Sequence, residues 1–182
     1  VDEFTAYLDQ AYEATKNYKP NEADYLQGAW TGLGIAPDPE SRKGRTAIPE
    51  DRARRIGKIL TTIPDGFSAN PKLVRVIEAR AKMFEGGEGF DWSSAEALAF
   101  GALVDEGFPM RLSGQDVGRG TFSQRHAIWY DQESNEKYIP LHHINPGQPR
   151  CEIHDSPLSE AAVLGFEYGY TLADPRTLVM WE

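Results

Sequence analysis

The chain has a single cysteine, Cys151, in 182 residues, so no intrachain disulfide can form and a reducing setting is expected, a bacterial cytoplasm or a mitochondrial matrix. It lacks any apolar run near the roughly 20 residues that a bilayer requires, which excludes a helical membrane span from the reading. Positive charge is also short. The 19 Lys and Arg stand against 28 Asp and Glu, a formal net charge of −9, so nonspecific binding to nucleic acid or to an anionic membrane surface is not expected. The opening Val1-Asp-Glu-Phe-Thr5 has neither the basic nor the apolar region of a signal peptide, and it lacks an initiator Met. Leu178 to Glu182 is an apolar run with no cap or polar tail after it. A piece of a longer polypeptide is therefore expected.

Familiar catalytic and metal signatures are equally sparse. The histidines are His126, His142, His143 and His154. None has a second His, Cys or carboxylate at ligand spacing, and adjacent His142 and His143 would point opposite ways on a strand. No nucleophile elbow surrounds a serine, and Cys151 carries no motif. The sequence thus offers neither a metal site nor a nucleophile.

What is present is ordinary globular composition, with 40% hydrophobic and 26% charged residues. Phe4, Leu8, Ala11, Tyr12 and Thr15 predict an amphipathic helix over 3–16 that needs a partner surface. Residues 18–48 read as a long connector pinned by Trp30. Ala53, Ile56, Ile59 and Leu60 give a helix over 51–62, whose basic side, Arg52, Arg54, Arg55 and Lys58, reads as solvated. A turn at Pro64-Asp-Gly66 precedes a helix from Pro71 to Phe84, stopped by Glu85-Gly-Gly-Glu-Gly89. A further helix over 94–106, capped by Asp91 or Ser93, ends at Gly107. Then come a strand at 110–112, a glycine-rich loop, a hairpin or excursion around 132–137, a strand at 151–154, a helix from about Pro157 to Tyr170 and a strand at 177–181. This order is α/β.

Three features carry candidate chemistry. Glu160 opens the last helix, where the macrodipole favours an acid and Ser159 is a suitable cap. Gly165 and Gly169 on that helix would let a backbone or flat ligand approach closely. The loop Ser113-Gly-Gln-Asp-Val-Gly-Arg-Gly-Thr-Phe122 presents backbone N–H groups, yet its spacing is neither that of a dinucleotide fingerprint nor of a P-loop. Arg111, Arg119 and Arg125 bracket it. They would either hold a carboxylate or phosphate or form ion pairs with Asp116, Asp105 and Glu106. His126 either faces a site or satisfies loop backbone.

Arg111-Leu-Ser-Gly-Gln-Asp-Val-Gly-Arg-Gly-Thr-Phe-Ser-Gln-Arg-His126, with Tyr138-Ile-Pro-Leu141 and Leu158-Ser-Glu-Ala-Ala-Val-Leu-Gly-Phe-Glu-Tyr-Gly-Tyr170, resembles the thiamine-dependent decarboxylase component of 2-oxoglutarate dehydrogenase complexes. Tyr18-Lys-Pro-Asn21, Trp30-Thr-Gly-Leu33, Thr61 to Phe67 and Glu96 to Phe100 extend the resemblance over nearly the whole chain. It covers only the middle of the family's chain. The resemblance implies a transketolase-like, thiamine-diphosphate-binding α/β fold. Residues 91–182 would begin the pyrimidine-binding domain, and residues 1–90 would be a helical linker segment.

It further implies that Glu160 hydrogen-bonds the pyrimidine ring of thiamine diphosphate and that Gln115 and Arg119 lie near the cofactor. His126 would stand at the substrate. The implied substrate is 2-oxoglutarate, with succinyl transfer to a lipoyl-bearing succinyltransferase component. The implied assembly is a homodimer with the cofactor at the subunit interface. No Gly-Asp-Gly metal and diphosphate motif occurs here, so Mg2+ is expected to bind outside this segment, which alone would be inactive. A pyruvate-type dehydrogenase component and a noncatalytic interaction module are the alternatives.

Overall fold

A computed structural model describes residues 2–16, 27–35, 37–40, 44 and 46–182. By contacts the chain divides into two compact units, Val1–Arg42 and Lys43–Glu182. In the first, helix α1 (Asp2–Thr15) forms as its periodicity predicts but buries none of its residues, and Phe4, Tyr7, Leu8 and Tyr12 are exposed. Much of the predicted connector, including Tyr18–Asn21, lies outside the described residues. Trp30 closes a short 3-10 turn, Gly28–Trp30, and is half-buried.

The second unit holds helices α2 (Glu50–Leu60), α3 (Pro71–Gly86), α4 (Trp92–Asp105) and α5 (Glu160–Ala173) with strands β1 (Met110–Gly114), β2 (Trp129–Tyr130), β3 (Lys137–Tyr138), β4 (Cys151–Asp155) and β5 (Leu178–Trp181). Local chemistry sets the helix ends. The Asn70 side chain accepts from Lys72 N at 2.9 Å, Pro71 takes the first helical position of α3, and Gly87 ends it in the left-handed region. Of the two proposed caps for α4, Asp91 performs the task, accepting from Ser94 N at 2.6 Å. Ser159 occupies the cap position of α5, but its hydroxyl makes no capping bond; only its carbonyl is used, by Ala162 and Val163 N–H.

The three-stranded sheet has order β4-β1-β5, all parallel, with Met110 opposite both Cys151 and Leu178. Helix α5 carries the chain from β4 across β1 to β5, the crossover that parallel neighbours require. One sheet face is apolar. Met110, Leu112, Cys151, Ile153 and Met180 there join Ile56, Leu60, Phe84, Phe100 and Val104 in the main core. Helices α2 to α4 cover that face, so residues 50–86 share a core with the sheet. The opposite face is polar, and α5 lies on it through Val163 and Glu167.

A second cluster, Leu73, Ile77 and Trp129 with Phe67 and Tyr138, ties the β2–β3 hairpin to α3. The basic side of α2 is solvated only in part: Lys58 is exposed, but the three arginines also bind other helices. Arg52 and Arg55 reach Asp105 at 2.6 and 2.7 Å, and Arg54 donates to the carbonyls of Phe84 and Glu85, the last turn of α3. Charged groups some 50 positions apart meet because α2 packs along α4. Among the described residues no helix is long and apolar enough to cross a membrane.

Candidate functional site

Ligands of open parallel sheets lie beyond the carboxyl ends of the strands. Here those ends are Gly114 of β1 and Asp155 of β4, and the segments leaving them are the glycine-rich loop and the turn into α5. The loop folds back on β4 at Gly118, whose N–H donates to Asp155 Oδ1 at 3.0 Å. A Cβ there would lie 2.9 Å from Ile128 Cδ1, so a side chain would make Ile128 shift. Gly120 adopts φ +84, a region that glycine enters cheaply, and the Gln124 side chain curls over it to accept from Phe122 N at 2.9 Å.

The loop and the amino end of α3 enclose a cleft of about 650 Å³, lined in part by Lys72, Asp116, Arg119, His126, Tyr130 and Asp155. That size suits a small ligand. Two of the four site residues implied by the resemblance, Arg119 and His126, meet there. Arg119 is exposed and paired through Nε with Asp116 at 3.1 Å, while Nη1 donates to Ser123 Oγ at 2.8 Å. His126 has φ +47, and its backbone is held at both ends: its N–H donates to Arg119 O at 2.9 Å and its carbonyl accepts from Trp129 Nε1 at 2.8 Å. Burial holds the imidazole below its ordinary pKa, and the charges of Arg80 and Arg119 push the same way.

Gln115 and Glu160 do not line this cleft. Gln115 is exposed and its backbone N–H joins Glu182 O at 3.2 Å. Glu160 stands exposed in the first turn of α5. It lies on the same helical stripe as Val163 and Glu167, which pack on the sheet, so it projects past the strand ends rather than out to the far side of the helix. Among the described residues its carboxylate has no hydrogen-bond or ion-pair partner. Gly165 and Gly169 have open space where a Cβ would be, so the close packing expected of them is absent within this chain.

The bracketing arginines are all engaged in ion pairs, but mostly with partners other than those expected. Only Arg119 takes its expected partner, Asp116. Arg111 joins Glu167 and Glu152, each at 2.8 Å, and Arg125 joins Glu96 at 2.6 Å and also Glu182. Cys151 is buried and its thiol is pushed up to about 12, by burial first and then by Glu152, which removes any nucleophilic role.

Sequence reasoning missed Arg80, Ser93, Asp155 and Glu167. Arg80 sits on a helix face otherwise apolar, at Leu73, Ile77 and Phe84, and that placement was the available signal. Glu167 similarly follows Val163 by four on the buried stripe of α5.

Comparison with known proteins agrees with this geometry. Residues 88–182, slightly more than half of the chain, match the family described as transketolase, pyrimidine binding domain. The 2-oxoglutarate dehydrogenase E1 component of Brucella anthropi is 54% identical over 176 residues, covering 96% of this chain and 18% of that protein. The components of the same name from Brucella canis and Brucella suis show the same identity and coverage. The chain therefore spans 18% of the length of these curated relatives. A transketolase-type family implies thiamine diphosphate as cofactor. With a parallel α/β sheet, a loop cleft at its strand ends and this match, the chain belongs to the transketolase pyrimidine-binding domain family.

Proposed function

We propose that this chain is a segment of the decarboxylase component of a 2-oxoglutarate dehydrogenase complex. Residues from about 91 onward begin its pyrimidine-binding domain, and residues 1–90 link that domain to a preceding one. The observation that carries the reading is the 54% identity to components of that name over 96% of the chain. The activity, its 2-oxoglutarate substrate and its partners belong to the longer protein.

The residues fit one half of the cofactor. The unpartnered Glu160 carboxylate, at the positive end of α5, is free to take a hydrogen bond from a pyrimidine ring nitrogen. The other half has no counterpart here, since among the described residues no three His, Cys, Asp or Glu converge on one point. Mg2+ and the diphosphate are thus assigned to another part of the longer protein.

When bound, thiamine diphosphate supplies the carbanion chemistry that releases carbon dioxide from a 2-oxo acid. Glu160 shares a proton with the ring nitrogen and so makes the exocyclic nitrogen the better base. His126, whose pKa is lowered by burial and by the charges of Arg80 and Arg119, offers a hydrogen bond to the substrate from the cleft wall. Arg119 and Gln115, on the same loop, border the cofactor. Leu164, Tyr168 and Leu172 leave one flank of α5 apolar and exposed, which suits a second copy of the chain. The acyl group passes to a lipoyl-bearing succinyltransferase.

The test is Glu160→Ala in the full-length protein. Expected are loss of 2-oxoglutarate decarboxylation with an artificial electron acceptor and weaker thiamine diphosphate binding, with fold and dimer intact. Wild-type turnover and cofactor affinity in that variant would remove Glu160 from the site. Preference for pyruvate over 2-oxoglutarate would move the assignment to a different 2-oxo acid.

A further inference from the structure

We infer that Arg80 is a positioning residue for the glycine-rich loop, gripping the Gln124 carbonyl together with Ser93 and thereby fixing His126 at the cleft wall. This rests on the reading of His126 as a substrate contact.

Arg80 is 6% exposed, and among the described residues it has no carboxylate within ion-pair distance. A buried cation without such a partner is costly, and an apolar residue would pack in its place more cheaply. Its charge is spent instead on two neutral acceptors. Nη2 donates to Ser93 Oγ at 2.5 Å and to Gln124 O at 2.5 Å. Ser93 Oγ also donates to Gln124 O, so two donors, on α3 and at the head of α4, converge on one loop carbonyl. That carbonyl lies two residues before His126 in a loop with positive φ at both Ser123 and His126. Non-glycine residues hold that conformation only where their surroundings enforce it.

A further Arg80 donor, Nε, is buried with no acceptor among the described residues. It borders a void of about 20 Å³ that His126, Glu96 and Arg125 also line, room for one water to satisfy it. Arg80 therefore acts on His126 through the main chain, and His126 lines both the small void and the larger cleft. The charged and titratable groups that line the two cavities with His126 are Arg80 and Lys72 from α3, Asp116 and Arg119 from the loop, Tyr130 from β2 and Asp155 from β4, with Glu96 and Arg125 at the small void.

The test uses full-length protein carrying Arg80→Lys, Ser93→Ala, Arg80→Met or His126→Gln, assayed with 2-oxoglutarate across pH. Arg80→Lys and Ser93→Ala are expected to raise KM about tenfold, the order of penalty for a displaced binding group, with thiamine diphosphate affinity unchanged. Arg80→Met removes a positive neighbour as well, so the acid limb of kcat/KM moves to higher pH; Arg80→Lys keeps the charge and leaves that limb in place. If Arg80→Met does not fold, the Lys and Ala variants decide. Wild-type KM in both, alongside a large KM increase in His126→Gln, overturns the positioning role and leaves the His126 reading intact. Wild-type KM in His126→Gln overturns that reading and this inference with it.

Discussion

Arg111 meets Glu167 through a two-pronged ion pair on the α5 face of the sheet, Nε to Oε2 at 2.8 Å and Nη2 to Oε1 at 2.9 Å. Ser113 adds a hydroxyl donor at 2.6 Å, and the rings of Phe166 and Tyr170 lie 5.4 and 4.9 Å from the guanidinium. This group sets the rotation of α5 on β1, and with it the direction of Glu160 two turns earlier on the same stripe. Glu167→Gln removes one of the two carboxylates that compensate the largely buried Arg111 and is expected to cost about 3 kcal/mol. Urea unfolding of the full-length protein would show it as a lower midpoint, and an unchanged midpoint would rule out the anchor.

The same pair has an acid dependence of definite sign. Burial pushes the Glu167 carboxyl up, but the Arg111 and Ser113 hydrogen bonds outweigh it and hold the group below the usual range. A carboxyl depressed in the folded state contributes stability above its ordinary value, about 4.3, and loses it as pH falls through the lower folded value. Glu167→Gln should therefore flatten the stability profile below about pH 4. A variant and a wild type with parallel acid limbs would refute this.

Asp105 makes a parallel case on the other side of the sheet. It accepts from Arg52 at 2.6 Å and Asn145 at 2.9 Å and pairs with Arg55 at 2.7 Å, linking α2, α4 and the turn after Pro140–His143. Burial raises its pKa, and these three donors reverse that to about 2. Its contribution is complete above the ordinary Asp value of about 3.9 and is lost between there and about 2. Asp105→Asn is expected to cost about 2 kcal/mol at neutral pH and little once the pH has fallen below about 2, where the wild type too is protonated. A penalty that persists undiminished at low pH would mean packing, not charge, explains it.

These two clusters mark the limit of what the sequence discloses. Helix ends were legible because their signals are local: Pro71 opening α3, Asp91 three before Ser94, Gly107 after α4. Alternation along Met110 to Leu112 gave the strand, and the motif around Glu160 gave the family. Ion-pair partners were not legible, since Arg52 and Asp105 are 53 positions apart and only packing of α2 on α4 makes them neighbours. The same holds for Arg80, whose role depends on a loop carbonyl 44 positions later. Even the Ser159 cap, sound by residue type, failed because its hydroxyl forms no bond in the first turn of α5.

Which glycines pack against their own chain was likewise not legible, and two of them yield a paired prediction. Gly101 lies where α4 crosses α2, and a Cβ there would stand 2.6 Å from Ile56 Cγ2, inside a residue with no exposure. Gly165 has no atom within 4 Å of such a Cβ. Gly101→Ala should therefore destabilise by about 1–3 kcal/mol through overpacking. Gly165→Ala should be neutral or stabilising by up to about 1 kcal/mol, because alanine is the better helix former and nothing in this fold opposes it. Thermal unfolding of the two full-length variants separates them. A drop for Gly165→Ala as large as that for Gly101→Ala would require another surface to lie against the glycine, and a matching rise in dimer dissociation would identify that surface as a second copy packed on the open side of α5.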